Sequence, residues 1–247
     1  MPLNLDFICS QNYTILINPH KDSDRGNQSV VVRRYTDFED LHHKLKKKHS
    51  SLISNISFPR KILLGNLTSQ TIAKRSTAFE QYLAHLFSHF EVRYSQEFME
   101  FFLRDGYSDG VIHFLEKRFT NAIDEFEKSL PVLEKLYGDF HPCVCYCICA
   151  LVSCYVSIDK PAVAHACVEV ALKCCCSEGS AADEELRISL MLTAIRLYWT
   201  LGKEKQDLEQ RISDLKQKGL DISTVPDLRD VLTSSFRLKH GVGVTFG

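Results

Sequence analysis

Between Arg33 and Arg75 the chain carries ten basic side chains: Arg33, Arg34, Lys44, Lys46, Lys47, Lys48, Arg60, Lys61, Lys74 and Arg75. Three acidic ones, Asp37, Glu39 and Asp40, stand against them. In a protein of 247 residues with a formal net charge of −1, such a concentration of cations marks a place for an anion. Arg34 ends a β-branched run and Thr36 opens a helical pattern. A strand-to-helix junction of that kind presents unpaired backbone N–H groups and a partial positive charge, which suit a phosphate. Lys61 lies in a Pro-bearing loop, and Arg75 lies in the first turns of the next helix. Separated cations able to converge on one anion describe a headgroup pocket better than a diffuse patch. Each residue alone has a plainer reading. Arg34 would pair with a carboxylate, Thr36 would only cap, Tyr35 would be a core ring, and Lys61 and Arg75 would be solvated.

Other candidate chemistry is thinner. Nine of the ten cysteines fall between Cys143 and Cys176. In a helix, alternate residues point about 200° apart, so Cys143, Cys145, Cys147 and Cys149 cannot converge on one ion. Free cysteine packs as a small hydrophobe, and core packing with reduced thiols in a cytosolic protein is the expectation. His85 and His89 have helical ligand spacing but no evident third ligand. Gly-x-Ser-x-Gly, His-Glu-x-x-His and phosphate-binding glycine loops are absent from the sequence. Carboxylates such as Asp124, Glu125 and Glu127 form an ordinary charged face. No catalytic set, metal site or cofactor is therefore expected, and the chain reads as a non-enzyme. A single-stranded nucleic-acid binder would interleave aromatics with its basic residues. Only Tyr35, Phe38 and Phe58 are available in that segment, and Phe38 reads as core, so no nucleic-acid partner is expected.

Composition agrees with a folded protein: 45% hydrophobic and 25% charged residues are globular values. Met1–Asn12 lacks the basic and apolar regions of a secretory signal. The uncharged stretch Cys143–Ile158 falls short of the roughly 20 residues that span a bilayer, and it reads as a buried helix.

The elements that must position the cations follow from periodicity. Tyr13–Ile17 and Val30–Tyr35 read as a hairpin with a long polar tip, Asn18–Ser29. Thr36-Asp37-Phe38-Glu39 reads as a capping box opening a helix with the stripe Phe38, Leu41 and Leu45 and with Lys44 and Lys46–Lys48 in its last turns. A helix over about 70–90 places Ile72, Phe79, Leu83, Leu86 and Phe90 on one face. Another over 96–103 buries Phe98, Phe101 and Phe102. The fold class is α+β: residues 1–105 form a small antiparallel sheet with helices, and an all-α domain occupies 108–235, with a tail at 236–247. Within the helical part, Ala122-Ile123-x₃-Glu127-x-Ser129-Leu130 matches Ala164-His165-x₃-Glu169-x-Ala171-Leu172. Tyr155-x-Ser157-Ile158-Asp159-Lys160 likewise matches Tyr198-x-Thr200-Leu201-Gly202-Lys203. Small residues at close approaches suit stacked helical hairpins of the tetratricopeptide kind, about three pairs over 108–218. A plain helical bundle is the alternative.

Arg33-Arg34-Tyr35-Thr36-Asp37-Phe38 resembles the Arg-Arg-Tyr-Ser/Thr-Asp-Phe signature of phosphoinositide-binding PX domains. Phe58-Pro59-Arg60-Lys61 resembles the loop that follows in that family, and Ile72-Ala73-Lys74-Arg75 with Phe79 and Tyr82-Leu83 resembles its next helix. A PX domain followed by a tetratricopeptide-like (PXB) domain is similar to a small group of sorting nexins. The resemblance implies a peripheral adaptor on early endosomes that binds phosphatidylinositol 3-phosphate, with other phosphoinositides as further ligands. It also implies that the helical domain holds a protein partner, a cargo tail or trafficking factor. By the same resemblance Arg34 binds the 3-phosphate, Tyr35 packs on the inositol, and Thr36 meets the same phosphate. Lys61 meets the 1-phosphate, Arg75 hydrogen-bonds the 4- and 5-hydroxyls, and Ile62, Leu63 and Leu64 insert into the lipid interface. PX domains begin with one strand more than the hairpin above, and whether the short, polar Met1–Asn12 supplies it is left open. The alternative function is a protein-interaction scaffold whose PX-like half has lost lipid binding along with that strand.

Overall fold

The computed structural model describes residues 3–7, 12–18, 28–54, 56–60, 68–104, 106–177, 179–180 and 182–240. Two compact units divide the chain, Met1–Arg104 and Asp105–Thr245.

In the first unit, β1 (Leu3–Phe7), β2 (Asn12–Ile17) and β3 (Ser29–Arg34) form one antiparallel sheet in the order β1-β2-β3. The β2–β3 register runs from Asn12↔Arg34 to Ile17↔Ser29, as a hairpin requires. The leading strand that the sequence left open is present, and β1 pairs with β2 from Leu3↔Ile17 to Phe7↔Tyr13. Leu3, Leu5 and Phe7 alternate with Asn4 and Asp6, a period of two that is legible only once a partner edge is known to exist. Tyr13, Ile15 and Ile17 of β2 and Val31 and Arg33 of β3 turn inward, while Val30, Val32 and Arg34 turn out. One residue of register thus separates a buried arginine from an exposed one.

Helix α1 (Tyr35–Lys48) follows without a loop and buries Phe38, Leu41 and Leu45. Its cap differs from the expected one. The N-cap is Arg34, in extended backbone, and its N–H donates to Asp37 Oδ2 at 2.7 Å. Thr36 lies inside the first turn and does not cap, because the strand runs straight to Arg34 and Asp37 then sits three residues on, where a carboxylate reaches back. After α2 (Ser50–Ile53), α3 (Ser69–Ser88) starts with Thr68 Oγ1 accepting the Thr71 N–H. Phe79, Leu83 and Leu86 are buried as expected. Phe90 is not: the helix stops at extended His89, and Phe90 opens a separate turn, α4 (Phe90–Arg93), with 74% of its surface exposed. Helix α5 (Gln96–Leu103) buries Phe98, Phe101 and Phe102. The core is a ring cluster in which Phe38 stacks on Phe79 with centroids 3.9 Å apart. Tyr13 and Phe101 meet its edges at 4.9 Å, Tyr13 against Phe79 and Phe101 against Phe38.

The second unit is helical among the described residues: α6 (Tyr107–Leu115), α7 (Phe119–Tyr137), α8 (Pro142–Ser157), α9 (Pro161–Cys176), α10 (Glu184–Leu201), α11 (Gln206–Gln217), a 3-10 turn (Ile222–Thr224) and α12 (Leu228–His240). Each of α6 to α11 packs on the next, and α12 returns to α6, α8 and α10. The expected tail at 236–247 therefore needs correction. Leu228, Val231, Leu232 and Phe236 recur at helical spacing and are buried, and the Phe236 ring lies 5.4 Å from Phe114. Gly241–Gly247 lies outside the described residues.

The repeat read from the sequence has a structural counterpart. Tyr155 donates its hydroxyl to Glu127 Oε1 at 2.5 Å, and Tyr198 donates to Glu169 Oε1. Asp159 and Gly202 turn left-handed, at φ 55° and 64°, at the matched ends of α8 and α10. There the Lys160 N–H donates to the Tyr155 carbonyl at 2.9 Å and the Lys203 N–H to the Tyr198 carbonyl at 2.8 Å. A third copy, which the letters did not reveal, closes α6: Lys117 has φ 60°, and the Arg118 N–H donates to the His113 carbonyl at 2.8 Å. Cys143, Cys145, Cys147, Cys149 and Cys154 are buried in α8 as core side chains. Burial pushes the Cys154 thiol up to about 12, so it stays protonated and unreactive.

Candidate anion site at the strand-to-helix junction

The end of β3, the start of α1, the loop before α3 and the second turn of α3 meet around Tyr35. Its ring lies 5.8 Å from Phe79 and 6.0 Å from Phe58, and its hydroxyl donates to the Pro59 carbonyl at 2.8 Å. Burial first, then the Glu39 carboxylate, pushes the Tyr35 phenol above its ordinary value against an opposing pull from Arg75, so it remains a donor. Arg75 reaches over the same ring, with its guanidinium carbon 5.1 Å from the centroid. It is 7% exposed, and its Nε and Nη2 are buried with no hydrogen-bond partner among the described residues.

That last fact sets the electrostatics of the site. Burying an ionised guanidinium without an acceptor costs several kcal/mol, and folded proteins rarely leave such a group uncompensated. A cation–π contact with Tyr35 returns only about 1–2 kcal/mol. Among the described residues, what Arg75 lacks is an oxygen for Nε and Nη2.

The expected site residues are accounted for as follows. Arg34 and Thr36 flank Tyr35 in the chain, and both are exposed. Tyr35 and Arg75 are brought together directly. Lys61, Ile62, Leu63 and Leu64 lie outside the described residues, although Phe58–Arg60, which leads to them, is held against Tyr35. Among the lysines of α1, Lys44 pairs with Glu100 at 3.1 Å and Lys48 with Glu97 at 3.3 Å, so those two charges are directed at α5. Lys46 and Lys47 are exposed.

Sequence reasoning missed three participants. Arg33, one residue before the expected ligand, is a buried staple that donates to the carbonyls of Phe101 and Val32 and lies over the Phe101 ring. The run Val30-Val31-Val32 is apolar in both phases, so no alternation in the letters marks Arg33 as the inward one. His42 and Tyr82 were also missed as site residues, and both contact the Phe58 ring. The His42 ring stacks on Phe58 at 4.6 Å, and its Nδ1 is 3.1 Å from the Tyr82 hydroxyl. Tyr82 enters the sequence reading only through the resemblance of α3 and without a role, and the sequence signal of His42 is its position beside buried Leu41. His85 and His89 are an exposed surface pair whose Nε2 atoms are 3.1 Å apart.

Residues 22–105 match the PX domain family model. Over 206 residues the chain is 33% identical to sorting nexin-20 from Bos taurus, covering 82% of this chain and 64% of that protein. Over 205 residues it is 31% identical to sorting nexin-21 from Homo sapiens, covering 82% of this chain and 54% of that protein. The chain thus spans somewhat over half the length of these relatives. No solved structure matches it. Over most of its length the chain is thus similar to PX-domain sorting nexins of the group that contains sorting nexin-20 and sorting nexin-21, and residues 22–105 carry the PX match.

Proposed function

We propose that this protein is a non-enzymatic adaptor that binds phosphatidylinositol 3-phosphate, with other phosphoinositides as further ligands, and attaches peripherally to early endosomes. The observation that carries the reading is Arg75, a buried guanidinium stacked over Tyr35 with two nitrogens lacking an acceptor among the described residues. The hydroxyls of an inositol ring lying against Tyr35 supply that acceptor. Arg34, exposed at the strand end, offers a fork to the 3-phosphate, and Thr36 in the first helical turn adds a hydroxyl and a helix N-terminus. Lys61 receives the 1-phosphate, and Ile62, Leu63 and Leu64 enter the lipid. The scaffold alternative rested on a missing first strand, and β1 removes that ground.

The helical unit, over about 108–235, then holds a tetratricopeptide-like groove for a protein partner, a cargo tail or trafficking factor. Val156 and Trp199, at matched positions of the repeat, are 44% and 74% exposed. They border cavities of about 340 and 380 Å³. Among the described residues no helix is long and apolar enough to cross a membrane, so attachment rests on the headgroup and the partner together.

Vesicle co-sedimentation tests the reading. The parent chain is expected to pellet with phosphatidylcholine vesicles containing phosphatidylinositol 3-phosphate, and Arg34→Ala is expected to stay in the supernatant with an unchanged melting curve. Equal pelleting of the Arg34 variant would defeat the assignment.

A further inference from the structure

The headgroup reading needs the Phe58–Arg60 segment to stand at a fixed distance from Tyr35, because Lys61 follows it. The Tyr35 hydroxyl donates to the Pro59 carbonyl, which fixes one point of the backbone. The second point is Phe58, whose ring contacts side chains of two helices. His42 of α1 lies nearly parallel to it, with centroids 4.6 Å apart and planes 24° apart. Tyr82 of α3 meets its edge at 5.4 Å and 81°. His42 and Tyr82 are themselves joined, Nδ1 to hydroxyl, at 3.1 Å. The loop ring is thus locked between two helices whose own side chains are tied together.

We propose that His42 is a positioning residue for the headgroup site, clamping the Phe58–Arg60 segment in its place beside Tyr35 and Arg75. His42 touches no ligand in this scheme; it acts through Phe58. The ring stack carries the clamp, and the Tyr82 hydroxyl sets the orientation of the imidazole. The choice of an imidazole fits the place. One face must be flat and apolar for Phe58, and one edge must be polar for a buried hydroxyl. Burial, with His43 and Lys46 nearby, holds its pKa below the ordinary value, which keeps the ring neutral and well suited to stacking.

The proposal rests on the headgroup reading, and the test separates the two. Binding of the full chain to vesicles containing phosphatidylinositol 3-phosphate is measured for the parent, His42→Ala, His42→Phe and Arg75→Ala. Limited trypsin cleavage after Arg60 is followed in the same proteins without vesicles. Loss of a stack of this size is expected to weaken His42→Ala binding about tenfold. Its Arg60–Lys61 bond should also be cut faster than the parent's. His42→Phe, which restores a flat ring but not the bond to Tyr82, should recover most of both properties, an outcome that a merely destabilising change at position 42 would not give. Parent-like binding by His42→Ala beside a loss in Arg75→Ala would overturn the clamp and leave the pocket intact. Weak binding without faster cleavage after Arg60 would overturn it as well. If the parent chain itself ignores these vesicles, the headgroup reading falls, and unchanged cleavage in His42→Ala then removes the clamp with it.

Discussion

The two units differ in buried charge: among the described residues the buried charged side chains, Arg33 and Arg75, both lie in the first unit, and the helical unit buries serines instead. In the helical unit, polar side chains at helix contacts close on one another, and the same closure repeats: Tyr155 with Glu127, Tyr198 with Glu169. Its helix α8 buries every residue from Cys143 to Cys154, among them five cysteines, two valines, Ile148 and Leu151. In the first unit Arg75 is buried with Nε and Nη2 lacking an acceptor among the described residues, while Arg33 donates from Nε and Nη1 to backbone carbonyls. The difference teaches where stability has been held back. A repeat array gains from every satisfied pair, because each helix supports only its neighbours. A binding pocket must keep one strong group unsatisfied, so that the ligand completes it.

The sharpest way to break this comparison is to damage each unit in its own currency. Phe126 is fully buried and packs against Tyr107 and Phe236. Phe126→Ala should cost about 3–5 kcal/mol in denaturant unfolding of the helical unit. Vesicle binding by the folded protein should not change. Loss of lipid binding in that variant would mean that the two units are not independent in this respect.

The converse substitution acts on the pocket. Arg75→Met keeps an apolar stem against Tyr35 and removes an uncompensated charge. It should raise stability in the absence of lipid by about 1 kcal/mol or more, the usual result when a poorly paired buried charge gives way to a hydrophobe. Lipid binding should vanish. A variant that loses both stability and binding would show that Arg75 is compensated after all, and the pocket would then read as core.

How much of this was legible in the letters depends on the length of the pattern. The hairpin, α5 and the stripes of α1 and α3 were readable, because apolar residues recur over two or more turns or across four strand positions. β1 was not, since five residues of alternation carry little signal without a partner strand. Phe90 misled because periodicity cannot see that the backbone leaves the helix at His89. The candidate site was legible as a motif, Arg34 to Thr36 with Arg75. The opposite fates of Arg33 and Arg34 depend on which face of β3 each residue takes, and a run of two arginines does not declare it. The third copy of the helical turn, at Lys117, was hidden because what is conserved between copies is a positive φ and one hydrogen bond, and lysine, aspartate and glycine all supply them.

The smallest expected effect sharpens the comparison at the junction itself. Asp37 accepts the Arg34 N–H and pairs with the Arg104 guanidinium at 2.9 Å. Partial burial pushes its carboxyl up, but the Arg34 N–H, the Arg104 guanidinium and the charge of Arg33 outweigh that and hold it below its ordinary value. A carboxylate depressed in the folded state stabilises fully above its unfolded pKa, and the contribution drains away as pH falls through the folded one. The window therefore lies below the ordinary value of 3.8. Arg104 is half exposed, so its ion pair contributes little, and the cap carries most of an effect of about 0.5–1 kcal/mol. Asp37→Asn should be less stable than the parent by that amount at neutral pH, and the two unfolding curves should converge as the pH is lowered through that window. Because the cap fixes Arg34 backbone rather than its side chain, the same variant should bind vesicles at neutral pH within about twofold of the parent, a change well under the 1.4 kcal/mol that a factor of ten requires. A larger loss would make Asp37 part of the pocket and not merely the stop at the end of the strand.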